Sequence, residues 1–402
     1  MTISSKKSRV SAEGRPSFRG DLYGRSALAN PYPAYRQIRD IGPAVWSPKR
    51  SLWLIGRYDD VRTALRAADI LTSGRGVAAN DMLNRGESPI TLTSDGETHD
   101  RRRRTLIQPV LPGPLKDLRA RLEGEAERLV AGLATGATFN AMRRFASHLP
   151  VTVVAELVGL DEAGRRNMLR WAAATFDLLG VMNARGIAAI PRLLELSSYI
   201  QNLNRSAVTP GGWADQLFDA ADRGDLSPEE ARAMIIDYVG PALDTTILAT
   251  GHMLWHLATT GGAYDAVCAD PTLIPGVVNE AVRLASPIRG FTRYAASDYD
   301  ADGTVIPQGD RVLVLFASAN RDERHYQDPD VFDVHRNPRD HVGWGHGAHS
   351  CVGMHLARLE MEVLLRALVE QVARIETDSP TQIRNNVLQG FKTLPARFMK
   401  TA

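Results

Sequence analysis

The run Gly343-Trp344-Gly345-His346-Gly347-Ala348-His349-Ser350-Cys351-Val352-Gly353 concentrates the chemistry of this chain. Glycines at every second position let a backbone pass close to a flat object. The run then delivers Cys351 to the start of a helix expected over Gly353 to Val372, with Leu356, Leu359, Val363, Leu364 and Leu368 on one face. A thiol there is stabilised as thiolate by the helix dipole, on the order of 1 kcal/mol, and by unpaired amides. Three chemistries compete: a buried cysteine in a glycine-rich turn, a zinc site from His346, His349, Cys351 and His355, or thiolate ligation of a haem iron. The histidine spacing matches no common zinc pattern, and a tight turn would send two of the histidines apart. The glycine spacing favours haem.

Three other groupings carry candidate chemistry. Asp244 and Thr245 place an acid beside a hydroxyl in Gly240-Pro241-Ala242-Leu243-Asp244-Thr245-Thr246. Pro241 lacks an amide donor and crowds the carbonyl of Asp237, which predicts a kink. The bland reading is a threonine bonded back to a helix carbonyl. Glu280 and Arg283 stand one turn apart and can pair, though alone this spacing is usually a solvated salt bridge. His99 and Arg103 are four apart within a stretch containing four consecutive arginines, Arg101 to Arg104, which at face value is a solvated basic helix face.

The elements that must position these groups are mostly helical. Helices are expected at Ala34 to Asp40, Tyr58 to Ala67, Arg101 to Pro109, Leu115 to Leu133, Pro150 to Val158, Glu162 to Leu179, Ile190 to Leu203, Trp213 to Arg223 and Pro228 to Thr259. Strand signals are confined to Val45 to Ile55 and to Phe291 to Ala317, with Asp302-Gly303 as a turn. Leu71 to Asp95 is long and irregular, and such a stretch reads as a lid or substrate loop. With 402 residues, 44% hydrophobic and 23% charged, the composition is that of an ordinary globular protein. Two cysteines exclude a disulfide scaffold, a four-cysteine zinc site and a cysteine-held iron-sulfur cluster. A formal charge of +2 gives no argument for nucleic acid. No apolar run has the length of a membrane span, and the polar, basic Met1 to Gly20 reads as a disordered arm rather than a signal peptide. A cytoplasmic monomer is expected.

Together these segments resemble the cytochrome P450 family, from about Asn30 onward, and the cysteine loop is the most specific motif. The resemblance implies a mainly α fold with a small β region: a single large helical domain over residues 21–402 with a minor β-rich subdomain, after an arm over residues 1–20. It implies haem b, with Cys351 as iron ligand, Trp344 and Gly353 against the cofactor, and His99, Arg103, Arg293 and His349 on its propionates. The family usually has phenylalanine at the position of Trp344. Glu280 and Arg283 would form a buried core with Arg336 that holds the cysteine loop. Asp244 and Thr245 would deliver protons for cleavage of dioxygen, in a helix where Pro241 and Ala242 depart from the family's small residue and glycine. Cys268, in a segment read as a loop from Ala263 to Asp270, becomes a bystander.

Within the family the chain looks most like bacterial enzymes that oxidise para-substituted aromatic acids, on Ser73-Gly74-Arg75-Gly76-Val77, Ala319-Asn320-Arg321-Asp322 and His341-Val342-Gly343. That group's carboxylate-binding arginine and serine match Arg85 and Ser88, and Asp237 stands where it has a hydroxyl. With Ala242, these are the candidate substrate residues. The expected reaction is O-demethylation or hydroxylation of a small aromatic acid or phenol. No flavin or nicotinamide motif is visible, so electrons are expected from a ferredoxin and its ferredoxin reductase, with Arg102 and Arg104 in the docking patch. The competing readings are a peroxide-driven peroxygenase and a non-enzymatic haem-based sensor.

Overall fold

A computed structural model describes residues 14–86 and 89–400. The chain begins with α1 (Arg25–Ala29) and α2 (Tyr32–Ile41), the hairpin β1 (Val45–Ser47) and β2 (Leu52–Ile55), then α3 (Tyr58–Arg66) and β3 (Leu71–Thr72). Of the expected arm, residues 1–13 lie outside the described residues. From Pro16 the chain is packed rather than frayed: Trp46 N donates to Pro16 O and Phe18 N donates to Trp46 O. Phe18 is buried beside Leu22, Tyr35, Ile38 and Leu54, which stabilises the segment by roughly 2 kcal/mol for the ring alone.

Among its described residues, the stretch from Leu71 to Asp95 is irregular apart from β3 and one turn of helix, α4 (Asp81–Asn84). A helical body follows: α5 (Gly96–Leu106), α6 (Pro112–Leu133), β4 (Phe139–Asn140), two π-helical turns at Met142–Ala146 and Pro150–Val154, then α7 (Ala155–Val158), α8 (Glu162–Leu179), α9 (Ala184–Asn202) and α10 (Trp213–Asp222). α5 starts five residues before the expected Arg101. α9 starts six before the expected Ile190, because Asn183 caps it by accepting from the amides of Arg185 and Gly186, and Pro191 is accommodated inside it.

The predicted single helix over Pro228 to Thr259 is two helices, α11 (Pro228–Val239) and α12 (Asp244–Thr259), parted by Gly240–Leu243. Ser227 and Glu230 form a capping box at the start of α11. Almost every residue of α12 from Thr246 to Leu257 is buried, so it is the central strut of the largest apolar cluster. Next come α13 (Ala263–Ala269) and α14 (Ile274–Ala285). Cys268 therefore lies on a helix and not in a loop, with its thiol beside the Tyr264 hydroxyl.

The strands then return: β5 (Phe291–Ala295), the hairpin β6 (Tyr299–Ala301) and β7 (Thr304–Ile306), and β8 (Arg311–Val314). The hairpin turns on Asp302 and Gly303, both at positive φ. β8 pairs parallel with β2 and antiparallel with β5, and β5 pairs antiparallel with β3, giving a five-stranded sheet in the order β1-β2-β8-β5-β3. After α15 (Phe316–Ala319) and an irregular meander comes α16 (Met354–Gln371), then β9 (Val372–Thr377), β10 (Thr381–Gln382), β11 (Phe391–Thr393) and β12 (Pro395–Lys400). The sequence reading did not anticipate these last strands. They pair as β4-β12-β9 and β10-β11, close to the α12 core through Phe391 and Phe398. No helix among the described residues is long and apolar enough to cross a membrane.

Candidate active site

The cysteine loop is built from two 3-10 turns, Val342–Trp344 and Gly347–His349, and closed by Cys351 N donating to Trp344 O at 2.7 Å. Gly345 and Gly347 both hold positive φ. At Gly347 a side chain would also run into the carbonyl oxygen of Leu65 on α3, so only glycine fits. The loop hangs from a buried network. Arg283 Nε and Nη2 each donate to Glu280 at 2.7 Å, with both side chains fully buried, and Arg336 Nε lies 3.2 Å from the same carboxylate. Arg283 Nη1 also donates to the carbonyl of Asn320, whose side chain accepts from Val342 N at the head of the loop.

Cys351 lies just before α16 with its side chain solvent-accessible. Burial of the surrounding site pushes the thiol up. The amides of Gly353 and Met354 and the guanidinium groups of Arg103 and Arg358 oppose this without overcoming it, so the helix start does not by itself make a thiolate. The zinc alternative has no geometric support. His346 Nε2 accepts from Arg66 at the surface, His355 is exposed, and no cluster of metal-ligating side chains exists among the described residues.

Around the loop, donors converge with little to receive them. α5 carries His99 and Arg103 on one face, β5 carries Arg293, and the loop carries His349. The His99 and His349 rings are 4.4 Å apart, and Arg103 donates to Ser350 Oγ at 3.2 Å. Buried His99 Nε2 has no partner, nor does Trp344 Nε1. Arg293 is 4% exposed and donates to the carbonyl of Thr292. Burial pulls its pKa down to about 10, against the attraction of Asp95. Two carboxylates stand at the edge of this group: Asp95, 3.9 Å from His349 Nε2, whose oxygens already accept from the amides of Ser73 and Gly74, and the exposed Asp100, 3.0 Å from His99 Nδ1. Neither carboxylate reaches His99 Nε2 or Trp344 Nε1, and buried donors without acceptors are costly, so this cluster is suited to an anionic ligand. Unpartnered donors beside an accessible thiol fit a dianionic, thiolate-ligated haem.

At the break between α11 and α12, Gly240 N makes the last α11 bond, to Ile236 O, and Ile247 N makes the first α12 bond, to Leu243 O. Pro241 has no amide to offer Asp237 O, which is why α11 cannot run on. Ala242 is half-buried in the break. Asp244 opens α12 with Oδ2 buried and unpartnered, and burial pushes its carboxyl up to about 7. Thr245 Oγ1 donates to Pro241 O at 2.9 Å, the back-bond of the bland reading, and this leaves the oxygen free to accept.

The expected substrate residues are not gathered in one place. Arg85 is exposed at the end of α4, with no hydrogen bond or ion pair to another described residue. Ser88 lies outside the described residues. Asp237 does not meet Arg85; its Oδ2 accepts from Thr91 N at 2.8 Å, and burial pushes its pKa up to about 6. Arg102 is not available for docking, because it is buried against Glu230, which Arg101 also grips. Arg104 is exposed. Asp95, Asn320, Ser350 and Arg358 were given no role in the sequence; Asn320 and Ser350 stand within its motifs, but what a single polar side chain reaches is set by the fold and not by its neighbours in the chain.

Comparison with known proteins agrees with this geometry. The cytochrome P450 family profile matches residues 268–398. Cytochrome P450 CYP199A2 of Rhodopseudomonas palustris is 33% identical over 95% of this chain and 94% of its own length. Cytochrome P450 monooxygenase PikC of Streptomyces venezuelae is 31% identical over 94% and 93%. The crystal structure of CYP109E1 from Bacillus megaterium in complex with testosterone superposes with a TM-score of 0.83 over 93% of this chain and 99% of that one; at 21% identity it speaks for the fold alone. The chain belongs to the cytochrome P450 family, whose members bind haem b through a cysteine thiolate. Its class is therefore the monooxygenases, oxidoreductases that incorporate oxygen.

Proposed function

We propose that the chain from Pro16 onward forms one haem-thiolate domain that oxidises a small aromatic acid or phenol, by O-demethylation or hydroxylation, with electrons from a ferredoxin and its reductase. Cys351 is the iron ligand, His99, Arg103, Arg293 and His349 bind the propionates, and Trp344 and Gly353 lie against the ring. The convergence of unpartnered donors around an accessible thiol carries this reading. When bound, the haem supplies oxygen activation, and the protein supplies position and protons.

Asp244 is the proton source. With a carboxyl near neutrality it is present in both forms, and its buried Oδ2 is free to pass a proton. Thr245 Oγ1, fixed by its bond to Pro241 O, is held as an acceptor and relay. Glu280, Arg283 and Arg336 keep the cysteine loop in place. Arg85 recognises a substrate carboxylate, supported by its lack of any ionic partner among the described residues and by the likeness to the benzoate-oxidising group. Ser88 adds a hydroxyl and Ala242 lines the break. Arg104, rather than Arg102, serves the electron donor.

Optical titration with para-substituted benzoates and phenols tests the substrate class. A substrate-type shift with at least one benzoate, weakened about tenfold or more in Arg85→Ala, is expected for loss of a charge-assisted contact. No shift with any compound of the panel contradicts it.

A further inference from the structure

The segment between β3 and α5 is fastened at several points. Asp95 holds the amides of Ser73 and Gly74. Thr292 N donates to Val77 O, and its hydroxyl donates to Ala78 O at 2.8 Å. Asn80 Nδ2 donates to the carbonyls of Leu178 and Gly180, both at 2.7 Å, at the end of α8. Arg102 Nη1 donates to Ile90 O. One fastening differs in origin, because it comes from the helix that ends at the catalytic break. Asp237, four residues before Pro241, accepts from Thr91 N, and the Leu92 amide also favours its ionised form. Thr91 and Ser94 are buried, and the turn they form is closed by Ser94 Oγ donating to Thr91 O at 2.8 Å.

A buried carboxylate keeps its charge where amides solvate it. A phenol that used Asp237 would have to displace a bond made by the protein itself and leave a buried amide unpaired. The carboxylate is therefore committed to the loop. Pro241 removes the helix bond to the carbonyl of the same residue, so the last turn of α11 is held by its side chain where the backbone is weakest.

We propose that Asp237 is a positioning residue that pins the Thr91–Ser94 turn to α11, so that the substrate loop and the break carrying Asp244 are placed as one unit, without touching the substrate. The inference rests on the proposed function only for the ligand used in the second readout below.

Amide hydrogen exchange on the substrate-free holoenzyme tests it. In Asp237→Ala, exchange at Thr91 and Leu92 should quicken about tenfold or more, while α6 amides and haem content stay as in the wild type. Asp237→Asn, whose amide oxygen still accepts, should restore most of the protection. Thr91→Pro deletes the donor and leaves the acid in place, and should loosen Leu92 in the same way. With 4-methoxybenzoate, Asp237→Ala should raise KM about tenfold and lower kcat less, with partial rescue in Asp237→Asn. Wild-type protection in Asp237→Ala, or equal loss of ligand affinity in both variants with the loop unchanged, overturns the proposal. Absence of any wild-type response to 4-methoxybenzoate contradicts the substrate class instead, and leaves the exchange result to decide the role of Asp237.

Discussion

The proposed cofactor seat and the loop between β3 and α5 use similar polar residues in different ways. In the seat, His99 Nε2, Trp344 Nε1 and Asp244 Oδ2 are buried without partners. In the loop, Asn80, Asp95 and Asp237 are each committed to backbone groups. Buried polar groups are nearly always paired. Unpartnered atoms also occur in the loop, at Ser73 Oγ, and in the core, at His252 and Glu360. It is grouping beside an accessible thiol that suits the first set to a ligand, whereas the bonds to backbone suit the second to scaffolding. Asp237 and Asp244 show the distinction seven residues apart. Burial raises both carboxyls, but only Asp244 has an oxygen to spare.

The sharpest break of this contrast is Cys351→Ala, which should abolish turnover and the thiolate-type spectrum of the reduced carbonyl complex. Arg283→Ala attacks what supports the seat. It leaves the fully buried Glu280 carboxylate with only Arg336 and the Asp333 amide, and should cost about 3 kcal/mol in denaturant unfolding, with earlier haem release. Asp244→Asn should lower coupled turnover about a hundredfold, leave ligand binding in place and divert reducing equivalents to peroxide.

That variant also carries a pH signature. The folded carboxyl of Asp244, at about 7, lies above the ordinary value of 3.8, so the native state binds this proton more tightly than the unfolded chain. Its contribution to stability is full below about 4, is lost as pH rises to about 7 and is constant beyond. Unfolding midpoints across that window should show Asp244→Asn gaining on the wild type as pH rises. The wild-type rate should fall above about 7, where the proton donor is spent, and this limb should vanish in the variant. The mildest test is Cys268→Ser, which should change neither spectrum nor activity, since the thiol sits on α13 beside the Tyr264 hydroxyl.

The same contrast explains what could be read from the sequence. Of the seat, only the alternate glycines before Cys351 stand out locally; His99 and Arg103, one helical turn apart, read as a solvated basic face, and with Arg293 on β5 they were singled out by the family resemblance alone. The fastenings of the loop do not stand out, because one end of each bond is a backbone amide or carbonyl, which any residue supplies. Thr91 and Asp237 are 146 positions apart, and nothing in either residue type names the other. The break at Pro241 was legible because proline changes the backbone itself, but its extent, four residues and two separate helices, depends on tertiary packing around α12. The starts of α5 and α9 were misplaced for related reasons. Arginine-rich and proline-containing segments look unlike helices until capping and packing are supplied, as Asn183 does for α9. The short C-terminal strands pair with partners as distant as Phe139 and carry no periodicity long enough to read.

The most direct test of the central claim is the absorption spectrum of the reduced wild-type protein under carbon monoxide. A thiolate-type carbonyl band, absent from Cys351→Ala and unchanged in Cys268→Ser, is the predicted result. A histidine-type band in the wild type, or a thiolate band that persists without Cys351, would contradict the assignment of Cys351 as the ligand and with it the reading of the donor cluster as the seat of a haem.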